Sequence, residues 1–599
     1  MKCLKMFRIN KPVKIILVLM TLAAALKVSM FGRIVDEGYA FAIGGRLLAG
    51  DILLRDMWEL HQTSGFAVEF FLWLYRCVTG TSEGEVLFVR LCGAAIQLAV
   101  SYIVYRALKK HVPADAAFAA AILYANLTPK QLSTPEFSNL LNWTATLTLI
   151  CLDLLIEEIR KGSDKKKILT CSVITGLFLS LCVLSYPPAL IFAVFVFGLL
   201  IAEKKKGLKP ALTLVSVCGI SGALYMAGIL RYISLGELVN TVSAMIEVDF
   251  SHAEGASKFV RYAGDAGVLI LFVAGFGTVS YLLSRVLKNK ELLFPVSLLI
   301  IFVWKFLHIL LKTDFYSVEY TFGGILFVCV IGLFCIFRDK LCKGEAAKML
   351  RVYGTGSVGI LLTVLVACDQ SVFSSGKYLG LLTAVLSAVI LGKAVTAGQT
   401  ENKESSSAPE NIKAERAHEK VKEELAEVSH RYRLYRAVTA AGVCFVILVN
   451  IIQLGNPRNR LLNILDADAR VPAGPEKGLI MERMFANKAR IDSYELPEAL
   501  DGASYVMITG DAMPYIYTTA RIGHGSTIMT EDYGERFALY WEMYPEKLPD
   551  IIAIECYNGS VESTLVGSWL YEYLENDFGA DEVRDLTYYR LYIRKRTEE

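Results

Sequence analysis

Apolar runs long enough to cross a bilayer recur along this chain, and they fix its class before any other feature is read. A helix needs about 20 mostly apolar residues to cross the hydrocarbon core, where every backbone N–H and C=O must be satisfied within its own segment. Such runs fall near 13–31, 86–108, 114–128, 140–159, 168–186, 188–202, 211–231, 267–287, 292–311, 321–337, 352–368, 378–395 and 438–452. Of the 599 residues, 54% are hydrophobic and only 20% charged, with a mean hydropathy of +0.44, which is too apolar for a soluble chain of this length. The expectation is an all-α polytopic membrane protein with about thirteen transmembrane helices. A net charge of +3 does not suggest nucleic acid as a partner.

The lysines and arginines orient the spans. Lys2, Lys5, Arg8, Lys11 and Lys14 precede or open the first run. Every second connection is basic in the same way: Lys109-Lys110, then 160–167, 204–209, 288–290 and 338–351. The others are neutral, acidic or aromatic. This alternation places the amino terminus in the cytoplasm and the acidic pair Asp36-Glu37 outside. No small-residue cleavage site follows the first run, which is therefore read as a retained anchor. The basic amino end and loop style suit a bacterial plasma membrane, although an endoplasmic reticulum protein obeys the same charge rule.

Two domains are expected. A membrane module covers 1–453, with a first outer loop at 32–84 and a polar, Glu/Lys-rich cytoplasmic linker at 398–433. An extracytoplasmic α/β domain covers 454–599, with strands at 504–509, 551–556 and 588–593 and a helix at 562–576. The segment 510–514 follows a strand as a βα-loop does, but lacks a Gly-rich phosphate fingerprint. The 13 cysteines lie mostly in spans or on the inner side and show no structural-zinc spacing, so neither bridges nor metal are implied.

Chemistry is expected on the outer face. Carboxylates at a membrane boundary are costly unless solvated, paired or used, and Asp36-Glu37 stands where the first run ends. Phe66 to Tyr75 is apolar, aromatic and too short to span, so it reads as a helix lying along the membrane surface. Asp36-Glu37, with the loop from Asp56 to Gly65, resembles the GT-C class of membrane glycosyltransferases, and more narrowly the branch of the protein O-mannosyltransferases and lipid A aminoarabinose transferases. In that branch an Asp, often in an Asp-Glu pair, closes the first helix, and a loop with two interfacial helices follows. Where relatives often carry a Lys-Pro-Pro-type run, this chain has Leu60-His61-Gln62-Thr63-Ser64, which leaves the donor headgroup open. The Trp-Trp-Asp signature of oligosaccharyltransferases is absent, which argues against transfer of a large glycan to asparagine.

The resemblance implies a sugar moved from a polyprenyl-phosphate donor to an acceptor hydroxyl on a lipid, glycan or protein. The lipid tail keeps the reacting carbon at the interface. A carboxylate must take the hydroxyl proton and cations must hold the phosphate. By family carry-over Asp36 is the expected base, and Glu37 orients the acceptor or shares a proton; capping of the following helix is the plainer role for the pair. Lys305, His308 and Lys312 share one helix face and are expected, with Arg261, to meet the phosphate; snorkelling to headgroups is the plainer role for Lys312. Asp56, Glu59, His61, Glu136 and Tyr316 are expected around the acceptor or sugar, with capping as the simpler role for Glu136. Arg90 either contacts phosphate or pairs with Glu85 or Glu69. No motif implies a divalent cation. A secondary transporter or lipid flippase is the alternative class, but no internal repeat is evident and the ionisable residues cluster toward the outer end.

Overall fold

The computed structural model describes residues 9–33, 35–59, 61–129, 133–252, 257–286, 345–367, 371–389, 467–527, 536–557, 560–561 and 565–594. The expected spans at 292–311, 321–337 and 438–452 lie outside these residues, as does the linker.

Helices α1 (Lys11–Met30), α2 (Val35–Leu48), α3 (Gly65–Thr79), α4 (Glu85–Leu108), α5 (Ala114–Ala125), α6 (Phe137–Lys161), α7 (Lys165–Ser185), α8 (Leu190–Ile201), α9 (Lys205–Leu230), α10 (Leu235–His252) and α11 (Ser257–Val286) follow one another, and a further long helix covers Glu345–Ala367. Six described helices are long and apolar enough to cross a membrane: Lys11–Met30, Glu85–Leu108, Phe137–Lys161, Lys165–Ser185, Lys205–Leu230 and Ala347–Ala367. The connection between the apolar runs at 211–231 and 267–287 is largely helical, formed by α10 and the start of α11.

The bundle is built as lipid requires. Its inward faces interlock around Tyr124, Trp143, Leu149, Phe192, Tyr353 and Val385. Its outward faces leave Ile15, Leu19, Leu26, Leu212 and Leu224 uncovered, where acyl chains would lie. Charges gather at one end, where Arg160 and Arg351 both meet Glu203, at 2.6 and 3.4 Å, and Lys167 meets Glu158 at 2.8 Å. At the other end α4 approaches the chain before α6 so closely that a Cβ at Gly93 would overlap the Ser133 carbonyl.

The terminal domain carries a mixed sheet. Strands β1 (Ala469–Arg470) and β2 (Ile480–Met481) pair with each other; β3 (Tyr505–Ile508), β4 (Arg521–Ile522), β5 (Ile551–Tyr557), β7 (Glu582–Asp585) and β8 (Tyr589–Ile593) lie in the order β4-β3-β5-β8-β7, with β6 (Ser560–Val561) paired to β5. β3 is parallel to both neighbours, while β8 is antiparallel to β5 and β7, with Ile552 opposite Tyr592. The three expected strands are thus present, and the expected helix is found as Trp569–Asn576. Among the described residues the domain shares its core with the membrane module. Phe41, Val68, Leu72 and Val89 of α2, α3 and α4 pack in one cluster with Leu479, Val506, Ile508 and Leu591. Backbone bonds join the two parts: the Gly32 N–H donates to the Ile480 carbonyl (2.8 Å), Trp58 to Gly525 (2.7 Å) and Val86 to Pro475 (3.1 Å).

Candidate functional site

Asp36 is the second residue of α2, in its first turn. Its side chain lies outside the described atoms, so its position is read from the backbone and from what holds that turn. The next residue, Glu37, is fully buried. Arg90 of α4 grips it with two nitrogens, Nε donating to Oε1 at 2.8 Å and Nη2 to Oε2, and the Thr134 hydroxyl also donates to Oε1. The remaining Arg90 donors reach the Gly32 carbonyl at 3.0 Å and the Ser29 carbonyl at 3.3 Å. One guanidinium therefore staples the end of α1, the turn at Gly32 and the start of α2 onto α4. This fork geometry is the one arginine supplies and lysine cannot. Arg90 thus pairs with Glu37 rather than with Glu85 or Glu69, and Glu85 is held instead by Arg76 at 2.7 and 2.8 Å.

The terminal domain closes on the same turn from the opposite side. The segment Gly510 to Met513, after β3, lies directly against α2: a Cβ at Gly38 would sit 2.6 Å from Asp511 Oδ1 and 2.7 Å from the Met513 nitrogen. Glycine is the only residue that permits this approach. Arg33, buried in the turn before α2, pairs with Asp511 and reaches Glu476 at 3.6 Å. Burial works against its charge, but Asp511 and then Glu476 outweigh it and hold the guanidinium pKa well above its ordinary value. Behind them, Lys488 bonds Asp492 at 2.8 Å and approaches Glu555 at 3.5 Å. Burial pushes the Asp492 carboxyl pKa up, against the pull of Lys488.

Three acids expected around the substrate are tied up inside the protein. Asp56 is buried, accepts from the Ile52 N–H at 2.7 Å and pairs with Lys547 of the terminal domain at 3.0 Å. Glu59 accepts from the hydroxyls of Ser526 (2.9 Å) and Thr527 (2.8 Å) and from the Thr527 N–H. Arg46 of α2 completes this seam, donating to the His524 carbonyl at 2.9 Å and to Asp51 at 2.7 Å. Glu136 caps α6, accepting from the backbone N–H groups of Ser138 (3.0 Å) and Asn139 (2.9 Å). Glu136→Ala should therefore destabilise the fold by about 1 kcal/mol, read as a lowered melting temperature.

The seam carries its own prediction. Lys547→Met removes the closer cation of the buried Asp56 and leaves it Arg55 at 4.0 Å, so amide exchange at 56–59 and 524–527 should accelerate by on the order of tenfold, because a local opening now costs less. Mass-spectrometric hydrogen exchange measures this, and unchanged protection there would mean that the ion pair does not hold the seam.

The other expected residues divide. His61 is half-buried and packs on Phe137, ring centroids 4.1 Å apart. Arg261 sits in α11 with its guanidinium over Tyr262, 5.8 Å from the ring centroid, and Tyr262 donates to the Leu365 carbonyl at 2.9 Å. Lys305, His308, Lys312 and Tyr316 lie outside the described residues. Helix α3 leaves Phe66, Phe70 and Trp73 exposed along one face, as a helix lying in the membrane surface would. Among the described residues no group of three or more His, Cys, Asp or Glu is gathered as a metal site requires.

One cation escaped the sequence reading. Lys27, in the last turn of α1, is 7% exposed, and its ammonium has no hydrogen-bond partner among the described residues. Its signal was present as a lone lysine inside an apolar run, which is costly enough to ask for a partner.

No family model matches the chain, and no curated protein matches it. Solved structures to which the chain shows similarity include the archaeal oligosaccharyltransferase AglB from Archaeoglobus fulgidus in complex with an inhibitory peptide and a dolichol-phosphate, at 11% identity over 91% of this chain and 69% of that chain, TM-score 0.41. The Archaeoglobus fulgidus oligosaccharyltransferase in complex with Zn and sulfate aligns at 12% identity over 90% and 68% of the two chains, TM-score 0.43. The apo form of that enzyme aligns at 14% identity over 91% and 69%, TM-score 0.39.

Proposed function

We propose that this chain is an integral membrane glycosyltransferase of GT-C type that moves a single sugar from a polyprenyl-phosphate donor to an acceptor hydroxyl at the outer membrane face. Asp36 is the general base. The acceptor oxygen attacks the anomeric carbon as its proton passes to Asp36. The bond from that carbon to the phosphate oxygen breaks, and the polyprenyl phosphate leaves with the electron pair. The observation that carries the reading is the buried Glu37–Arg90–Thr134 lock, which fixes the turn bearing Asp36 where α1 ends. A catalytic group is effective only when its support is rigid. In this reading Glu37 positions Asp36 through the backbone, and Asp56 and Glu59 hold the terminal domain over the first loop. Lys305, His308, Lys312 and Arg261 remain the proposed phosphate contacts, and His61 and Tyr316 the proposed lining of the acceptor side.

The test uses the full chain in nanodiscs with a panel of polyprenyl-phosphate hexoses and pentoses. Release of polyprenyl phosphate is measured, since it does not require the acceptor to be known in advance. Acceptor-stimulated release supports the reading. Movement of a solute across vesicles without any release would favour a transporter and sink it.

A further inference from the structure

We infer that the joint between the terminal domain and the turn before α2 is proton-loaded: a buried cluster with more carboxylates than cations holds a proton at Asp492, and the joint loosens as rising pH removes it. This goes beyond the transferase reading and stands without it. The cluster is assembled from four separate stretches of chain. The turn after α1 supplies Arg33, its side chain 6% exposed. The connection between β1 and β2 supplies Glu476, fully buried. The loop after β3 supplies Asp511, and the helix Arg483–Ala499 supplies Lys488 and Asp492, both buried. Arg33 pairs with Asp511 and reaches Glu476 at 3.6 Å, while Lys488 pairs with Asp492 at 2.8 Å and stands 3.5 Å from Glu555 of β5. Among the described residues no other cation forms an ion pair with Glu476, Asp492 or Asp511. Three largely buried carboxylates thus face two cations, before Glu555 is counted. A buried site in which acids outnumber their partners relieves itself by binding a proton. Arg33 stands three residues before Asp36, so the same proton firms the turn that bears the proposed base.

Asp492 is the acid placed to take the proton. It faces Lys488 on its own helix, Arg33 from the membrane module, Glu476 and Tyr517 from the segments on either side of that helix, and Tyr589 from β8. Asp468 and Arg470, at the strand packed beside the helix, are exposed, the first paired with Arg483 at 2.9 Å. Lys488 and Tyr589 both donate to Asp492 Oδ2, at 2.8 and 3.5 Å, which leaves Oδ1 to carry the proton. Burial, and then the nearby carboxylates, push the phenols of Tyr517 and Tyr589 upward, so both stay protonated and serve as donors. Burial also raises the Asp492 carboxyl, against the pull of Lys488 and Arg33 and with Glu476 adding to the rise. A carboxyl raised in the folded state contributes stability that is complete below its unfolded pKa and is lost as pH climbs through its folded pKa. The pH dependence is therefore opposite to that of an ordinary aspartate–lysine bridge, whose contribution is lost on acidification.

Amide exchange of the full-length protein in nanodiscs, corrected for the intrinsic rate at each pH, reads the joint at Gly32 and Val86, whose N–H groups donate across it to the carbonyls of Ile480 and Pro475. Asp492→Asn has the shape of the protonated acid and cannot ionise. Its protection at these two amides should match the parent at about pH 4 and exceed it at least about threefold by about pH 8. Glu476→Gln removes a carboxylate that raises Asp492, so the parent's loss of protection should move to lower pH in this variant. That arm leaves Asp492 in place and stays decisive if Asp492→Asn fails to fold. Protection in Asp492→Asn that equals the parent at every pH would overturn the inference. So would protection that falls behind the parent as pH rises, because that is how an acid ionised in an ordinary salt bridge behaves. A loss of protection at the same pH in Glu476→Gln and the parent would also overturn it, since the acids would then not share one cluster.

Discussion

Asp36→Asn should lower the rate of sugar transfer by roughly 10²–10⁴-fold, the usual contribution of a positioned general base, and leave the KM for the lipid donor nearly unchanged. Asparagine keeps the size and hydrogen-bonding reach of the side chain but cannot take a proton at neutral pH. In the proposed reading donor binding depends on the phosphate-holding cations, which the substitution leaves alone. The fold should survive it, because the turn is held by Glu37 and Arg90, and the melting temperature should stay within a few degrees of the parent. Initial rates of polyprenyl phosphate release, measured with the melting temperature of the same preparation, decide the matter. A rate within threefold of the parent would remove Asp36 from the chemistry. A lost rate accompanied by a collapsed melting temperature would mean that the side chain is structural. Asp36→Glu is a useful companion: it retains the base but moves it by a methylene, so it should recover part of the rate.

The membrane helices were legible because lipid leaves no freedom in how apolar runs satisfy their backbone, and α1, α4, α6, α7 and α9 fall close to where hydropathy places them. Helix α2 was not, because Gly38, Gly44 and Gly45 weaken its propensity and its segment reads as polar loop. Two of its glycines serve packing instead: a Cβ at Gly44 would press on Val68 of α3, as one at Gly38 would on Asp511. Strands β3, β5 and β8 showed in the sequence as runs rich in apolar and aromatic residues, while β4 and β7, two and four residues long at the sheet edges, carry too little pattern to be read. Of the proposed site, the sequence offered only local features. Asp36-Glu37 stood out by position, but the partners of the second acid are 53 and 97 residues away, and Arg46 finds its carbonyl 478 residues on. Nothing local in a sequence encodes such pairings. Asp56 and Glu59 looked like substrate acids because an exposed loop would leave them free; the terminal domain packed on that loop supplies their partners.

The Glu37–Arg90 pair carries the other large effect. Removing one member leaves the other charged and buried, with nothing to replace its partner, so Glu37→Leu and Arg90→Met should each cost about 3–5 kcal/mol of stability. Arg90 is 2% exposed and Glu37 fully buried, so water cannot make up the loss without opening the packing of α2 against α4. Replacing both removes the desolvation problem as well as the attraction, and the double variant should recover most of the stability lost by either single one. Thermal unfolding of the four proteins, followed by intrinsic fluorescence in one detergent, forms the cycle. Additive losses in the double variant would show that the two side chains do not act as a pair. The recovered double variant also separates structure from positioning. It keeps the fold but no longer ties the Ser29 and Gly32 carbonyls to the start of α2, so the first turn of that helix is held less firmly. Transfer by a stable double variant should therefore remain depressed with kcat reduced more than KM, because a base displaced by even an ångström loses much of its advantage. If stability and transfer return together, the ion pair serves the fold alone, and the precision of the Asp36 turn must come from the contacts of Gly38 with Asp511 and Met513.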